Sequence, residues 1–251
     1  MDERRVSIIV PAYRAAAFID RTIESVRAQT YAEWEMLIAD DCSPDNTRNI
    51  VAKWAEQDPR VQLIALDKNG GPAAARNAAL EKAQGRFVAF LDSDDMWLPA
   101  KLEHSLAHAK SHDAALVYTG FRRMTQDGGR TGDYIGVPPS LTYRELLGNT
   151  AIATSTVLVD RAIAGNIRMQ HVYYDDFVCW LSILKSGHIA RGLNEDLMRY
   201  RVLAKSVSRN KGKSAREVWK TYRNVEHLGL MPSAWYFSSY ALNAARKYRK
   251  F

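Results

Sequence analysis

Hydrophobic and polar positions along the chain follow two alternating periods. Short apolar runs of the kind that form strands buried on both faces occur at residues 6–10, 34–39, 61–66, 87–91 and 114–121. Between them, residues 17–29, 47–57, 72–83 and 100–111 space their apolar side chains as helices do. Strand and helix in regular alternation predict βαβ units and a Rossmann-like α/β fold, with a mainly parallel central sheet flanked by helices. After residue 121 the pattern loosens. Residues 122–140 are rich in Gly, Asp and Pro and predict a hairpin or mobile loop, followed by a helix near 143–147 and a strand near 155–159.

Composition and charge narrow this picture. With 251 residues, 47% of them hydrophobic, the chain can bury one large core. The expected organisation is a catalytic domain over residues 1–212, split near 121 into two halves, with residues 213–251 as a basic, aromatic, helical C-terminal extension. Two cysteines, Cys42 and Cys179, are too few for a disulfide scaffold. No apolar run approaches the roughly 20 residues of a spanning helix. Met1-Asp2-Glu3-Arg4-Arg5 leads directly into a strand, so a cytoplasmic protein is expected. The net charge of +7 is concentrated toward the end of the chain. There, residues 235–245 mix aromatics with a basic terminus, a pattern shared by interfacial helices and by helices docked on a core. It leaves open a peripheral position at the inner face of the plasma membrane. Nucleic acid is not an expected partner, because the basic residues form no recognisable reading motif.

Candidate chemistry gathers at strand ends. Asp92-Ser93-Asp94-Asp95 follows the apolar run 86–91 and places three carboxylates at the carboxyl end of a strand, where open α/β sheets bind nucleotides. Such a cluster repels itself unless a cation neutralises it; an acidic turn capping the next helix is the competing explanation. Asp40-Asp41 follows the second strand in the same way. Asn69-Gly70-Gly71-Pro72 opens a helix carrying Arg76, a combination suited to holding a diphosphate through amides, helix terminus and guanidinium. Asp175-Asp176 begins an aromatic helix, where acidic residues also suit the helix dipole. His104, His108 and His112 share a helix face without a matched carboxylate and read as surface.

Together, Val6-Ser7-Ile8-Ile9-Val10-Pro11-Ala12-Tyr13, Asp40-Asp41-Cys42-Ser43-Pro44-Asp45, Asn69-Gly70-Gly71-Pro72-Ala73-Ala74-Ala75-Arg76-Asn77 and Phe90-Leu91-Asp92-Ser93-Asp94-Asp95 resemble the family-2 glycosyltransferases of the GT-A fold. The resemblance implies a nucleotide-sugar donor, usually UDP-linked, and a divalent metal, Mn²⁺ or Mg²⁺. It implies that Pro11 and Tyr13 line the nucleoside pocket, Asp41 meets the base and Arg76 approaches the nucleotide. Asp92 and Asp94 would form the D-x-D that meets ribose and metal-diphosphate, with Asp94 as metal ligand and Asp95 beside them. Apart from the resemblance, Trp97, an aromatic beside the acidic cluster, is a candidate to stack on sugar. Tyr173-Tyr174-Asp175-Asp176-Phe177 resembles the acidic pair that carries the general base, usually Glu-Asp; the role passes to Asp176, with Asp175 its neighbour. Residues 200–211 resemble the segment that closes over the donor, but Leu203 stands where many relatives carry His. Lys205, Arg209 and Lys211 remain as candidates for a diphosphate-binding lid.

The implied activity is inverting transfer of a hexosyl group to a saccharide or lipid-linked saccharide of the cell surface. A nucleotidyltransferase is the alternative enzyme class, although its glycine- and Lys/Arg-rich first loop is missing after Val10. A non-catalytic module that binds nucleotide-sugar or membrane is the alternative outside enzymes.

Overall fold

The computed structural model describes residues 1–203 and 211–248. Strand β1 (Asp2–Ala12) lies inside a ten-stranded sheet because from Val6 onward its side chains are mainly buried and apolar on both faces. Val6, Ile8 and Val10 face one core layer and Ile9 the other, as the two-residue strand period requires. The same division holds in β2 (Trp34–Asp40), where Met36 and Ile38 oppose Leu37 and Ala39. Helices α1 (Ile19–Arg27), α2 (Thr47–Gln57) and α4 (Lys101–Ser111) cover the first layer through Ile23, Val51 and Leu106. Helices α3 (Pro72–Lys82), α5 (Tyr143–Leu147) and α7 (Asp175–Lys185) cover the second. The short α6 (Arg161–Ala164) begins at Asp160, whose carboxylate accepts its Ala162 N–H and pairs with Arg86.

The sheet order is β3 (Val61–Ala65), β2, β1, β4 (Gly85–Phe90), β9 (Leu158–Asp160), β6 (Leu116–Met124), β10 (Ala190–Arg201) and β5 (Met96–Trp97). Off this path, β7 (Thr131–Ile135) pairs with β6 and β8 (Ser140–Leu141) with β10. β2 and β4 flank β1 in parallel, β3 is parallel to β2, and β10 to β6. β9 is antiparallel to both β4 and β6, so β6 again runs with β1. The strands that oppose this direction are the short β5, β7, β8 and β9. The carboxyl ends of β1, β2, β4, β6 and β10 therefore share one edge of the sheet.

The expected elements up to residue 121 are present, with β1 and β6 longer than their apolar runs. Residues 122–140 include the β6–β7 hairpin. The strand expected at 155–159 is corrected: Thr154–Thr156 form a 3-10 turn and the strand is Leu158–Asp160. Toward the C-terminus, α8 (Lys211–Lys220), a π-helical turn (Thr221–Val225) and α9 (Leu230–Tyr248) pack on the second layer. Trp219 meets Phe237 edge-on at 5.7 Å, and Asn243 donates to the Gly148 carbonyl at 2.7 Å. No described helix is long and apolar enough to cross a membrane.

Lys101, at the start of α4, is wholly buried, with Nζ 4.9 Å from the Trp97 ring and no hydrogen-bond partner. Burial pulls its ammonium down to about 7, whereas an unfolded lysine holds its proton to about 10.4. Between those values folding releases a proton, so stability rises with pH by about 1.4 kcal/mol per pH unit through this residue. Lys101→Met is expected to lose that slope and to be the more stable protein at neutral pH, as urea titrations across the window will show.

Candidate active site

The common sheet edge collects the candidate residues. Pro11 lies near the end of β1, and Tyr13, just beyond it, is 46% exposed. Asp41, just past β2, is buried, and its carboxylate accepts the N–H groups of Gly70 and Gly71 at 2.7 and 2.8 Å. Asn69 Nδ2 donates to the Asp41 carbonyl at 3.0 Å. Gly71, at φ +81°, takes a left-handed conformation that suits glycine just before Pro72 starts α3. The diphosphate cradle expected from these two amides is corrected: both are engaged by Asp41, which orders the turn from within.

The four residues after β4 divide their roles by burial. Asp95 is 1% exposed. It accepts from the Ser155 hydroxyl at 2.6 Å and from the Arg201 N–H at 2.8 Å. The same Ser155 oxygen accepts the Asp92 N–H at 3.0 Å. Arg201, equally buried, donates through Nε to the Asp94 carbonyl and through Nη1 to the Gln126 carbonyl, each at 2.7 Å. Thr22 Oγ1 reaches the Ser93 and Asp95 carbonyls at 3.0 and 2.9 Å. Asp95 is thus a brace that shapes the turn, which corrects its expected place against the donor. Trp97 is corrected likewise: it is buried in the core and its indole N–H donates to the Ser155 carbonyl at 2.7 Å, leaving no face for a sugar. Asp92 and Asp94 remain partly accessible. Burial, followed by repulsion from Asp92, pushes the Asp94 carboxyl up to about 6.

Arg76 joins this turn to the second half of the chain. Its buried guanidinium donates to Asp92 Oδ1 and to Asp175 Oδ2, both at 2.7 Å. Burial alone favours loss of the proton, but Asp92, Asp175 and Asp176 outweigh it and hold the group more firmly protonated than a free arginine. Asp175 is closed inside the protein, where burial is the leading influence and raises its carboxyl pKa. Asp176, the next residue, is half-buried; its Oδ2 accepts the Thr154 hydroxyl and its Oδ1 the Phe177 N–H at 2.7 Å. Arg76, expected at the nucleotide, therefore bridges two carboxylates instead. Ser155, Thr154, Thr22 and Arg201 support the site without having been singled out in the sequence, since isolated hydroxyls and one arginine in a polar strand carry no periodic signal.

Among the described residues no group of three His, Cys, Asp or Glu side chains is placed to hold a metal ion. Asp92 and Asp94 supply two hard, partly accessible carboxylates. Such a donor set suits a cation that completes its shell with substrate phosphate and water. Lys205 and Arg209 lie outside the described residues, and Lys211 opens α8.

Comparisons with known proteins agree on one family. The model for glycosyl transferase family 2 matches residues 7–167. The chain is 45% identical over 243 residues, 96% of each chain, to the putative teichuronic acid biosynthesis glycosyltransferase TuaG of Bacillus subtilis. It is 38% identical over 221 residues, 87% of this chain and 85% of the relative, to the UDP-Glc:alpha-D-GlcNAc-diphosphoundecaprenol beta-1,3-glucosyltransferase WfgD of Escherichia coli. Among solved structures, S. aureus TarS 1–349 in complex with UDP-GlcNAc matches with a TM-score of 0.69 at 22% identity, over 94% of this chain and 71% of that one. The mannosyltransferase PcManGT of Pyrobaculum calidifontis, in complex with GDP-Man and Mn²⁺, matches with a TM-score of 0.71 at 18% identity, over 98% and 75%. These likenesses establish the GT-A fold.

Removing Arg76 leaves Asp92 and Asp175 facing each other across a buried gap. Arg76→Met is expected to cost about 3–5 kcal/mol of stability, read by urea unfolding. Arg76→Lys recovers only part, because a single ammonium does not reproduce the two directed bonds.

Proposed function

Because the chain belongs to glycosyl transferase family 2, we propose that it is an inverting, metal-dependent hexosyltransferase. In this reading it moves a sugar from a UDP-linked donor to a saccharide carried on a lipid diphosphate during cell-surface polysaccharide synthesis. It works on the cytoplasmic side, at the inner face of the plasma membrane, through one domain of residues 1–212 with 213–251 as its extension. WfgD, which uses UDP-Glc and a diphosphoundecaprenol-linked acceptor, supports the donor and acceptor classes. The observation that carries the proposal is the pairing of two partly accessible carboxylates after β4, Asp92 and Asp94, with a third, Asp176, joined to them through Arg76 and Asp175.

Pro11 and Tyr13 flank the nucleoside, and Asp41 orders the Gly70–Gly71 turn against which the base rests. Asp94, with Asp92 beside it, would hold Mg²⁺ or Mn²⁺, which when bound neutralises charge on the departing diphosphate. Asp176 takes the proton of the attacking acceptor hydroxyl. Thr154 fixes the direction of that carboxylate by donating to one of its oxygens. Attack opposite the leaving group converts an α-linked donor into a β-linked product in one displacement, without a covalent enzyme intermediate.

Asp176→Asn is expected to lower turnover by about 10²–10⁴-fold while nucleotide-sugar affinity is kept. Full turnover in that variant would place the base elsewhere, and a wild-type protein that binds donor without turnover would be a binding module. Asp94→Ala is expected to abolish the Mn²⁺-dependent part of UDP-sugar binding in calorimetry. Retention of configuration in the product would overturn the single displacement.

A further inference from the structure

We propose that the outer face of α9 is a docking surface for an anionic lipid bilayer. The inference deepens the reading of a lipid-linked acceptor by naming the surface that meets the lipid.

Up to residue 245, helix α9 has two unlike faces, and its sequence there carries no charge. Its inner face carries the fully buried Ser233 and packs Tyr236, Phe237 and Tyr240 against the core. Its outer side exposes Leu230 at 67%, Met231 at 85%, Trp235 at 72% and Leu242 at 62%. Met231, Trp235 and Leu242 fall within about 40° of one another around a helix of 3.6 residues per turn, a single stripe. Pro232, Ala234, Ser238 and Ala241 are exposed as well. From residue 228 to 245 the sequence contains no Asp, Glu, Lys, Arg or His. A helix face meant for water carries charge, so this one has an apolar occupant.

Charge selects the occupant. The apolar stretch ends in Arg246-Lys247-Tyr248-Arg249-Lys250, and no acidic residue follows Glu226. Beside Trp235, Arg144 lines a groove between α5 and α9, and the one carboxylate there, Glu145, is engaged by Thr142 in the cap of α5. A second copy of this face would set positive against positive, whereas an anionic membrane complements both stripe and basic end. An uncharged stripe of this width, on a helix too polar to cross, lies in the interface plane. Asn243 ties the helix to Gly148, from which the chain runs to Thr154 and its contact with Asp176. A bilayer on α9 therefore lies close along the chain to the proposed base.

The test is sedimentation with vesicles of equal parts phosphatidylglycerol and phosphatidylcholine, with no donor or acceptor present, so that it is independent of catalysis. Wild type is expected to bind these vesicles, to bind pure phosphatidylcholine much less, and to release as salt is raised. Trp235→Ser with Leu242→Ser is expected to weaken binding at least about tenfold. UDP-sugar affinity and the unfolding midpoint of that double variant should stay at wild-type values, since both side chains face outward. Equal binding by wild type and variant overturns the proposal. So does a wild type that ignores vesicles but forms a dimer dispersed by the same substitutions, which assigns the face to a second copy.

Discussion

Arg76 is a buried guanidinium whose charge is compensated by carboxylates drawn from both halves of the chain. Asp92 comes from the turn after β4 and Asp175 from the start of α7, 99 residues beyond Arg76 in sequence. Phe90 of β4 meets Trp180 of α7 edge-on at 5.0 Å, and Ser155 and Thr154 bond to Asp92 and Asp176, but the two carboxylates themselves would repel each other across a low-dielectric gap. With the arginine between them, repulsion becomes two directed bonds. The turn after β4 and the helix carrying Asp176 are thereby held in one register, the kind of rigid link that the proposed chemistry calls for.

The acidic residues of this edge separate into closed and open sets. Asp41, Asp95 and Asp175 are buried, and each accepts hydrogen bonds inside the protein: the first from two glycine amides, the second from Ser155 and Arg201, the third from Arg76. These shape loops. Asp92, Asp94 and Asp176 keep contact with the open side. Asp94 in particular is raised, first by burial and then by Asp92. Sequence alone counts all six as candidate site residues; the fold divides them by burial.

How much was legible follows from the same physics. Up to residue 121 the central strands are buried on both faces, the edge strand β3 only in part, and the helices on one, so hydrophobic period revealed the order of elements, and sheet direction placed their carboxyl ends together. β10 was not legible: Arg191, Asn194, Glu195, Asp196 and Arg199 interrupt its pattern, and its pairing with β6 shifts register twice. It forms because its partners are already aligned, and it delivers Arg201 beneath the acidic turn. Arg76 was legible as functional in type but not in contact. An arginine in an alanine-rich helix looks ready for a phosphate until tertiary packing encloses it. Trp97 misled in the opposite sense, since proximity in sequence to the acidic cluster says nothing about which side of the sheet an indole faces.

The pair Asp175-Asp176 shows how a site tolerates a shortened side chain. Neighbours on a helix point about 100° apart, so only one can face Arg76 while the other turns toward the open edge. Where the resemblance leads one to expect Glu, Asp175 still reaches the guanidinium at 2.7 Å, so its shorter stem costs no contact. The direction of Asp176 does not depend on that stem. It is set by the helix start, by the Phe177 N–H and by the Thr154 hydroxyl. A change at the first acidic position is therefore absorbed by the tether to Arg76, and the second keeps its own orientation, the one the proposed proton abstraction calls for.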